Sequence, residues 1–194
     1  MAAITEHKER QMHNEAFYTI RSRRNPSFYF KHLALDDYTL QGKRILDVGS
    51  GDSGFTAAAK TWGAKIAISL DPTYSSKPPI QFFNTESLPE NPIAGLAQIL
   101  PFRDDIFDET IAMWSILHIR SGRDLVIPEM LRVTKPGGHV RIFPLFGDEK
   151  PKPSPEEVKF IEWESRVYTA VLKKDPNIPT DLYLGQIPDH MWMF

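Results

Sequence analysis

Short apolar runs recur through the middle of the chain: RILDV at 44–48, AKIAISL at 64–70, IAGLA at 93–97, ETIAMW at 109–114 and HVRIFPL at 139–145. Each has the length and the Ile/Val/Leu content of a buried strand. Helix-compatible stretches at 54–62 and 122–134 fall between them. That alternation is the βα rhythm of a three-layer, doubly wound, mostly parallel α/β sheet of Rossmann-like type. The junction KPGGHVRIF sharpens one boundary: Pro136 cannot continue the preceding helix, and Gly137-Gly138 supply the turn before Val140 and Ile142.

The crossover after residue 71 breaks the rhythm. Pro72, Pro78, Pro79, Pro89 and Pro92 lie between Asp71 and Ile93, so a loop with short helical pieces is expected there rather than a crossover helix. Residues 1–40 read as a helical N-terminal cap, with Ala16, Phe17, Ile20, Phe28, Phe30 and Leu33 as apolar anchors around Asn25-Pro26. After Gly147, KPKPSP reads as a linker. Glu156 to Lys173 then reads as an amphipathic helix capped by Ser154-Pro155, and DLYLGQIPDHMWMF as two short strands around Pro188. The expected organisation is one domain over 1–194: the cap, a cofactor-binding core at 41–147, and a C-terminal helix with short strands at 148–194.

Length and composition narrow the class. A chain of 194 residues with 41% hydrophobic and 25% charged residues has room for one full core and is ordinary for a folded, soluble protein. A net charge of -2 lacks the basic excess of a long phosphate-backbone footprint, which disfavours nucleic acid as a partner. With no cysteine, thiol chemistry and thiolate metal sites are excluded. The histidines at 7, 13, 32, 139 and 190 show no metal-ligand spacing. No signal-peptide core and no 18-residue apolar run occurs, so a cytoplasmic protein without a membrane partner is expected.

The chemistry gathers around ILDVGSGDSGF at 45–55, where Gly49, Gly51 and Gly54 have GxGxxG spacing between a strand and a helix start. A dinucleotide pyrophosphate would sit against such a turn. Asp47 opposes that ligand: a carboxylate a few ångströms from a diphosphate costs about 1–4 kcal/mol at effective dielectric constants of 80 to 20. A cationic ligand reverses the sign. AISLDP places Asp71 at the end of the second strand, 22 positions after Gly49, where an acid binds ribose hydroxyls in either nucleotide-type reading.

These residues resemble the class I S-adenosylmethionine-dependent methyltransferases, whose first motif is acid-x-Gly-x-Gly; Asp47, Gly49 and Gly51 match it, although position 53 is Ser and the next glycine comes at 54. AQILPFRDDIFDETIAMW at 97–114 is similar to the A..LPF.D..FD stretch of small-molecule members, and SILHI and MLRVTKPGGHVRIF follow in the family's order. The resemblance covers about residues 42–145. It implies S-adenosylmethionine as cofactor and a small or medium-sized methyl acceptor as substrate. The implied cofactor residues are Asp47, Gly49, Ser50, Gly51, Asp71, Pro72, Leu96, Ala97 and Trp114. Leu96 departs from the family, since many relatives carry an acid there for the adenine amino group. Gly49 and Gly51 are expected to be needed because a Cβ would strike the ligand or force an unfavourable backbone.

His118, just after the fourth strand, is the candidate general base, and helix-start packing explains it as well. Trp114 and Ile116 read equally as core. Tyr18, Phe28, Tyr29 and the 148–160 linker are the expected acceptor walls, beyond the carboxyl ends of the strands. DPTY at 71–74 looks like an amino-methyltransferase motif but precedes the third strand instead of following the fourth. Two other readings stay open. A non-catalytic S-adenosylmethionine-binding module would explain Leu96. A nicotinamide-dependent oxidoreductase would explain the glycine turn, yet it leaves Asp47 unexplained and lacks a Tyr-x-x-x-Lys pair.

Overall fold

A computed structural model describes residues 26–52, 54–75, 90–147, 157–164 and 166–187. The expected helix within 1–25, the linker at 148–156 and the segment from Pro188 onward lie outside the described residues. The helices are α1 (Pro26–His32), α2 (Asp37–Leu40), α3 (Phe55–Thr61), α4 (Val126–Val133) and α5 (Thr180–Gln186). The strands are β1 (Arg44–Val48), β2 (Ile66–Leu70), β3 (Pro92–Ile93), β4 (Phe107–Met113), β5 (Thr134–Phe146), β6 (Val158–Glu164) and β7 (Val167–Lys173).

The strands form one sheet in the order β3-β2-β1-β4-β5-β7-β6, parallel except for the pairings of β7. This is the expected Rossmann-like α/β architecture. One apolar layer joins β1, β4, β5 and β7 to α4 and α5 through Leu46, Ala112, Met130, Val140, Leu172 and Tyr183. The opposite layer packs α1 and α3 on the sheet through Tyr29, Leu33, Phe55, Ile111 and Phe143. Covering both faces explains why β1 and β4 read as nearly continuous apolar runs.

A buried ion pair docks α1. Arg141 donates from Nε to Glu109 Oε2 at 2.8 Å and from Nη1 to the carbonyls of Leu33 and Ala34 at 3.0 and 2.9 Å. These carbonyls follow the last turn of α1, where a cation satisfies helix-end acceptors. His139 Nδ1 lies 3.0 Å from the other Glu109 oxygen.

Three expectations are corrected. Residues 156–173 form no helix; 158–164 and 167–173 are a β-hairpin with Arg166 at φ +73° in its turn. Val158, Ile161, Val167, Thr169 and Val171 are β-branched, and β7 finds a ladder on each side, against β5 and β6. Those pairings override a helical spacing that the apolar residues matched by coincidence. The C-terminal stretch contains helix α5 rather than a strand at its start. The buried Tyr183 fixes it, its hydroxyl donating to the Lys173 carbonyl at 2.9 Å and accepting from Asp175 N–H at 2.7 Å. The run at 93–97 yields only the two-residue β3 with Pro92; past Gly95, Leu96 pairs with Ile99 in an isolated bridge.

Candidate functional site

Strand order reverses between β1 and β4, and in an open parallel sheet ligands bind beyond the carboxyl ends at such a point. The turn after β1 carries Gly49, Ser50 and Gly51; the turn after β4 carries Trp114 and Ser115. Both backbones are unusual. Gly49 and Gly51 have φ of +70° and +56°, and Trp114 has φ +59°. A bulky side chain in that region is a true outlier, held here by Trp114 N–H donating to the Phe143 carbonyl at 2.6 Å.

The two glycines serve different ends. A Cβ on Gly49 would stand 2.3 Å from Ser115 Cβ, so the close approach of the two turns requires glycine there. Its φ of +70° also bears out the expected backbone reason for a glycine, and the protein's own packing adds a second. Among the described residues, a Cβ on Gly51 would meet nothing within 4 Å, leaving space above the turn. Asp47 is fully buried beneath it, and Ser115 Oγ is buried with no hydrogen-bond partner among the described residues.

Asp71 and the glycine turn are one structure. Gly51 N–H donates to Asp71 Oδ2 at 3.0 Å. Thr73 N–H donates to Oδ1 at 2.8 Å, and the Thr73 hydroxyl bonds the same oxygen. Three of about four carboxylate acceptor positions are therefore used within the chain. The next residues, Pro72–Ser75, form a 3₁₀ turn that carries Tyr74 back toward Ser50 and Gly51.

On the adenine side expected from the sequence, Ala97 is buried while Leu96 and Ile99 are 51% and 70% exposed. A charged clamp from α4 holds the following loop. Arg132 donates to the carbonyls of Leu100 and Phe102 at 3.0 and 2.8 Å and to Asp104 at 2.7 Å; Glu129 accepts from Leu100 N–H at 2.7 Å. Arg132 Nε also donates to Glu129 Oε1 at 2.6 Å. This bond holds the Glu129 carboxyl below its ordinary range. Its contribution is therefore intact at neutral pH and is lost as pH falls through the lowered folded value. Replacing Arg132 by Met should destabilise the protein by about 1–2 kcal/mol, since Glu129 and two carbonyls lose their donor. Urea unfolding measures it, and an unchanged midpoint would remove the clamp from the account.

An aromatic cluster joins the turn after β4 to β5, α1 and β6. Trp114 meets Phe143 and Phe146 edge-on at 5.9 and 6.1 Å. His32 meets Phe28 and Phe143 at a tilt and Trp163 edge-on, at 4.1, 4.5 and 5.1 Å. Of the expected acceptor walls, Phe28 belongs to this cluster, Tyr29 is buried against Phe55, and Tyr18 lies outside the described residues. His118 ends the 3₁₀ turn Ile116–His118 with its side chain exposed, and Pro72 is exposed as well. Among the described residues no group of three or more His, Asp or Glu could hold a metal ion. None of their helices is long and apolar enough to cross a membrane.

Sequence reading missed Tyr74, Thr73, Ser115, Glu129 and Arg132 as parts of this site. DPTY was visible, but only the return of the 3₁₀ turn brings its tyrosine against Gly51.

Acids under the glycine turn and at the second strand's end flank the point where strand order reverses, and comparison with known proteins gives the chain's family. The model of a methyltransferase domain matches residues 46–142, half of the 194, and the chain belongs to that family. The fold is similar to the PH0226 protein of Pyrococcus horikoshii OT3, at 22% identity and TM-score 0.52 over 86% of this chain and 82% of that one. It is also similar to the [4+2]-cyclase SpnF, at 22% identity and TM-score 0.50 over 84% of this chain and 54% of that one. The YcgJ protein of Bacillus subtilis matches at 24% identity and TM-score 0.47 over 60% of this chain and 54% of that one. The chain thus spans about half the length of several solved structures it resembles. No curated protein matches it. At these identities the likenesses speak for the fold alone.

Proposed function

We propose that the chain is an S-adenosylmethionine-dependent methyltransferase acting on a small or medium-sized molecule. The observation that carries the reading is the junction at the sheet's reversal point: Asp71 accepts from Gly51 N–H while open space remains over Gly51. The residues fit the cofactor's chemistry. Buried Asp47 favours a cationic ligand over a diphosphate. Asp71 keeps acceptor capacity for a ribose hydroxyl, and Ser115 Oγ is a buried polar atom awaiting a partner. Gly49, Ser50 and Gly51 would flank the methionine end, Asp71 and Pro72 the ribose, Leu96 and Ala97 the adenine, and Trp114 the reacting end.

When bound, the cofactor supplies a methyl group already activated by the sulfonium. The chain's own part is to align the acceptor and exclude water. Trp114 and Phe146, both half-buried and packed on the buried Phe143, would offer an apolar wall for that task near the carboxyl ends of β4 and β5. His118 is the proposed base for an acceptor that must lose a proton, because it stands on the turn directly after β4; a pH–rate profile on an identified acceptor tests it.

The exposed Leu96, where relatives place an acid, favours a second reading as a cofactor-binding module without turnover. Titration calorimetry separates the readings. Heat with S-adenosylhomocysteine and none with NAD is expected, and the reverse overturns the assignment. Transfer of labelled methyl to a metabolite mixture then separates enzyme from module.

A further inference from the structure

Tyr74 reaches from the 3₁₀ turn Pro72–Ser75 onto the glycine turn. Its hydroxyl donates to the Gly51 carbonyl at 2.5 Å and lies 2.7 Å from Ser50 Oγ. With the phenolic proton committed to Gly51, Ser50 must supply the proton of the second bond. We propose that Tyr74 is a positioning residue that locks the ribose-binding turn and the methionine-binding turn into one preorganised site for an adenosine-bearing sulfonium amino acid; this rests on the functional reading above.

The connectivity carries the inference. Gly51 is held at both ends of its peptide environment, its N–H by Asp71 and its carbonyl by Tyr74. Asp71 and Tyr74 themselves belong to one short segment, with Thr73 between them bonded to Asp71 Oδ1. The glycine turn is also fastened to β2, since Gly49 and Ser50 N–H groups donate to the Leu70 carbonyl at 2.7 and 3.1 Å. A turn with φ of +70° and +56° at its two glycines has much freedom to lose, and holding it before the ligand arrives lowers the ordering cost of binding.

Two facts separate a lock from a plug. The direction in which a Cβ on Gly51 would point is open, so the phenol reaches the carbonyl without filling the space over the turn. Burial, with the Asp47 and Asp71 carboxylates nearby, pushes the phenol above its ordinary range, so it remains a donor at all working pH.

The test uses the full chain. Tyr74→Phe keeps the ring and removes the hydroxyl. Calorimetry should show S-adenosylhomocysteine bound about 5- to 10-fold more weakly, the worth of one hydrogen bond. Ser50→Ala should weaken binding less, and the two losses should be less than additive in the double variant, because the Ser50–Tyr74 bond is shared between them. In the ligand-free protein, amide exchange over residues 49–51 should quicken in Tyr74→Phe while that of β4 and β5 stays unchanged. Wild-type binding with an equal or tighter constant in Tyr74→Phe overturns the lock alone. No binding by the wild type overturns the functional reading, and unchanged exchange at 49–51 then overturns the lock independently of any ligand.

Discussion

Replacing Asp71 by alanine is expected to weaken S-adenosylhomocysteine binding by about 30- to 150-fold, or 2–3 kcal/mol, the range for a charge-assisted hydrogen-bond acceptor lost together with the partners it organised. Asp71 acts twice in this account. It would receive a ribose hydroxyl directly, and it already holds Gly51 N–H at 3.0 Å and Thr73 N–H at 2.8 Å. Removing it leaves both donors unpaired and frees the glycine turn. Asp71→Asn retains one acceptor oxygen and should fall between wild type and alanine. Calorimetric dissociation constants decide the matter: equal affinity in Asp71→Ala and wild type would take the ribose role away from this residue.

Gly49→Ala should destabilise the fold by about 2–5 kcal/mol, combining 1–2 kcal/mol for a left-handed residue with 1–3 kcal/mol for overpacking. The added Cβ would stand 2.3 Å from Ser115 Cβ and 3.0 Å from its Oγ, with φ fixed at +70° by the turn. A drop in melting temperature of about 10 °C corresponds to the middle of that range for a chain of this size. Shaving the obstacle, in Gly49→Ala with Ser115→Gly, should recover the packing part and leave the backbone part. Gly51→Ala is the informative contrast. At φ +56° with nothing within 4 Å, it should lose only the backbone part in stability yet lose ligand affinity, because its Cβ enters the open space. Equal thermal losses in the two variants would contradict the division of labour between the glycines.

The elements legible from pattern were those whose residues face an apolar layer on both sides. β1, β2 and β4 came out near their true bounds because a parallel strand covered on both faces must be apolar nearly throughout, whereas β5 begins at Thr134, five residues before the apolar run at 139–145, because Thr134 already pairs with Phe107 and the strand runs on through the KPGG that read as a turn. Legibility failed where neighbours, and not the residue's own period, chose the state. Residues 158–173 satisfied a helical spacing, but β5 offered β7 an antiparallel edge and the segment folded back as a hairpin. At 93–97 the apolar content was right and the strand was not, because only two residues reach the ladder beside β2.

The candidate site divides along the same line. Asp47, Gly49, Gly51 and Asp71 announced themselves because their chemistry is local: a glycine turn between strand and helix, and an acid at each of two strand ends. Sequence by itself therefore determined the α/β class and pointed to a candidate crevice beside the ends of β1 and β2. Only the tertiary structure decided which groups hold that crevice in shape. Ser115 requires a glycine 66 positions away at 49, Arg132 clamps a loop 32 positions before it, and Tyr74 reaches back to Gly51. Such contacts leave no periodic trace, since the sheet's strand order sets who meets whom, and a hydroxyl or guanidinium finds its acceptor only after the chain has been brought together.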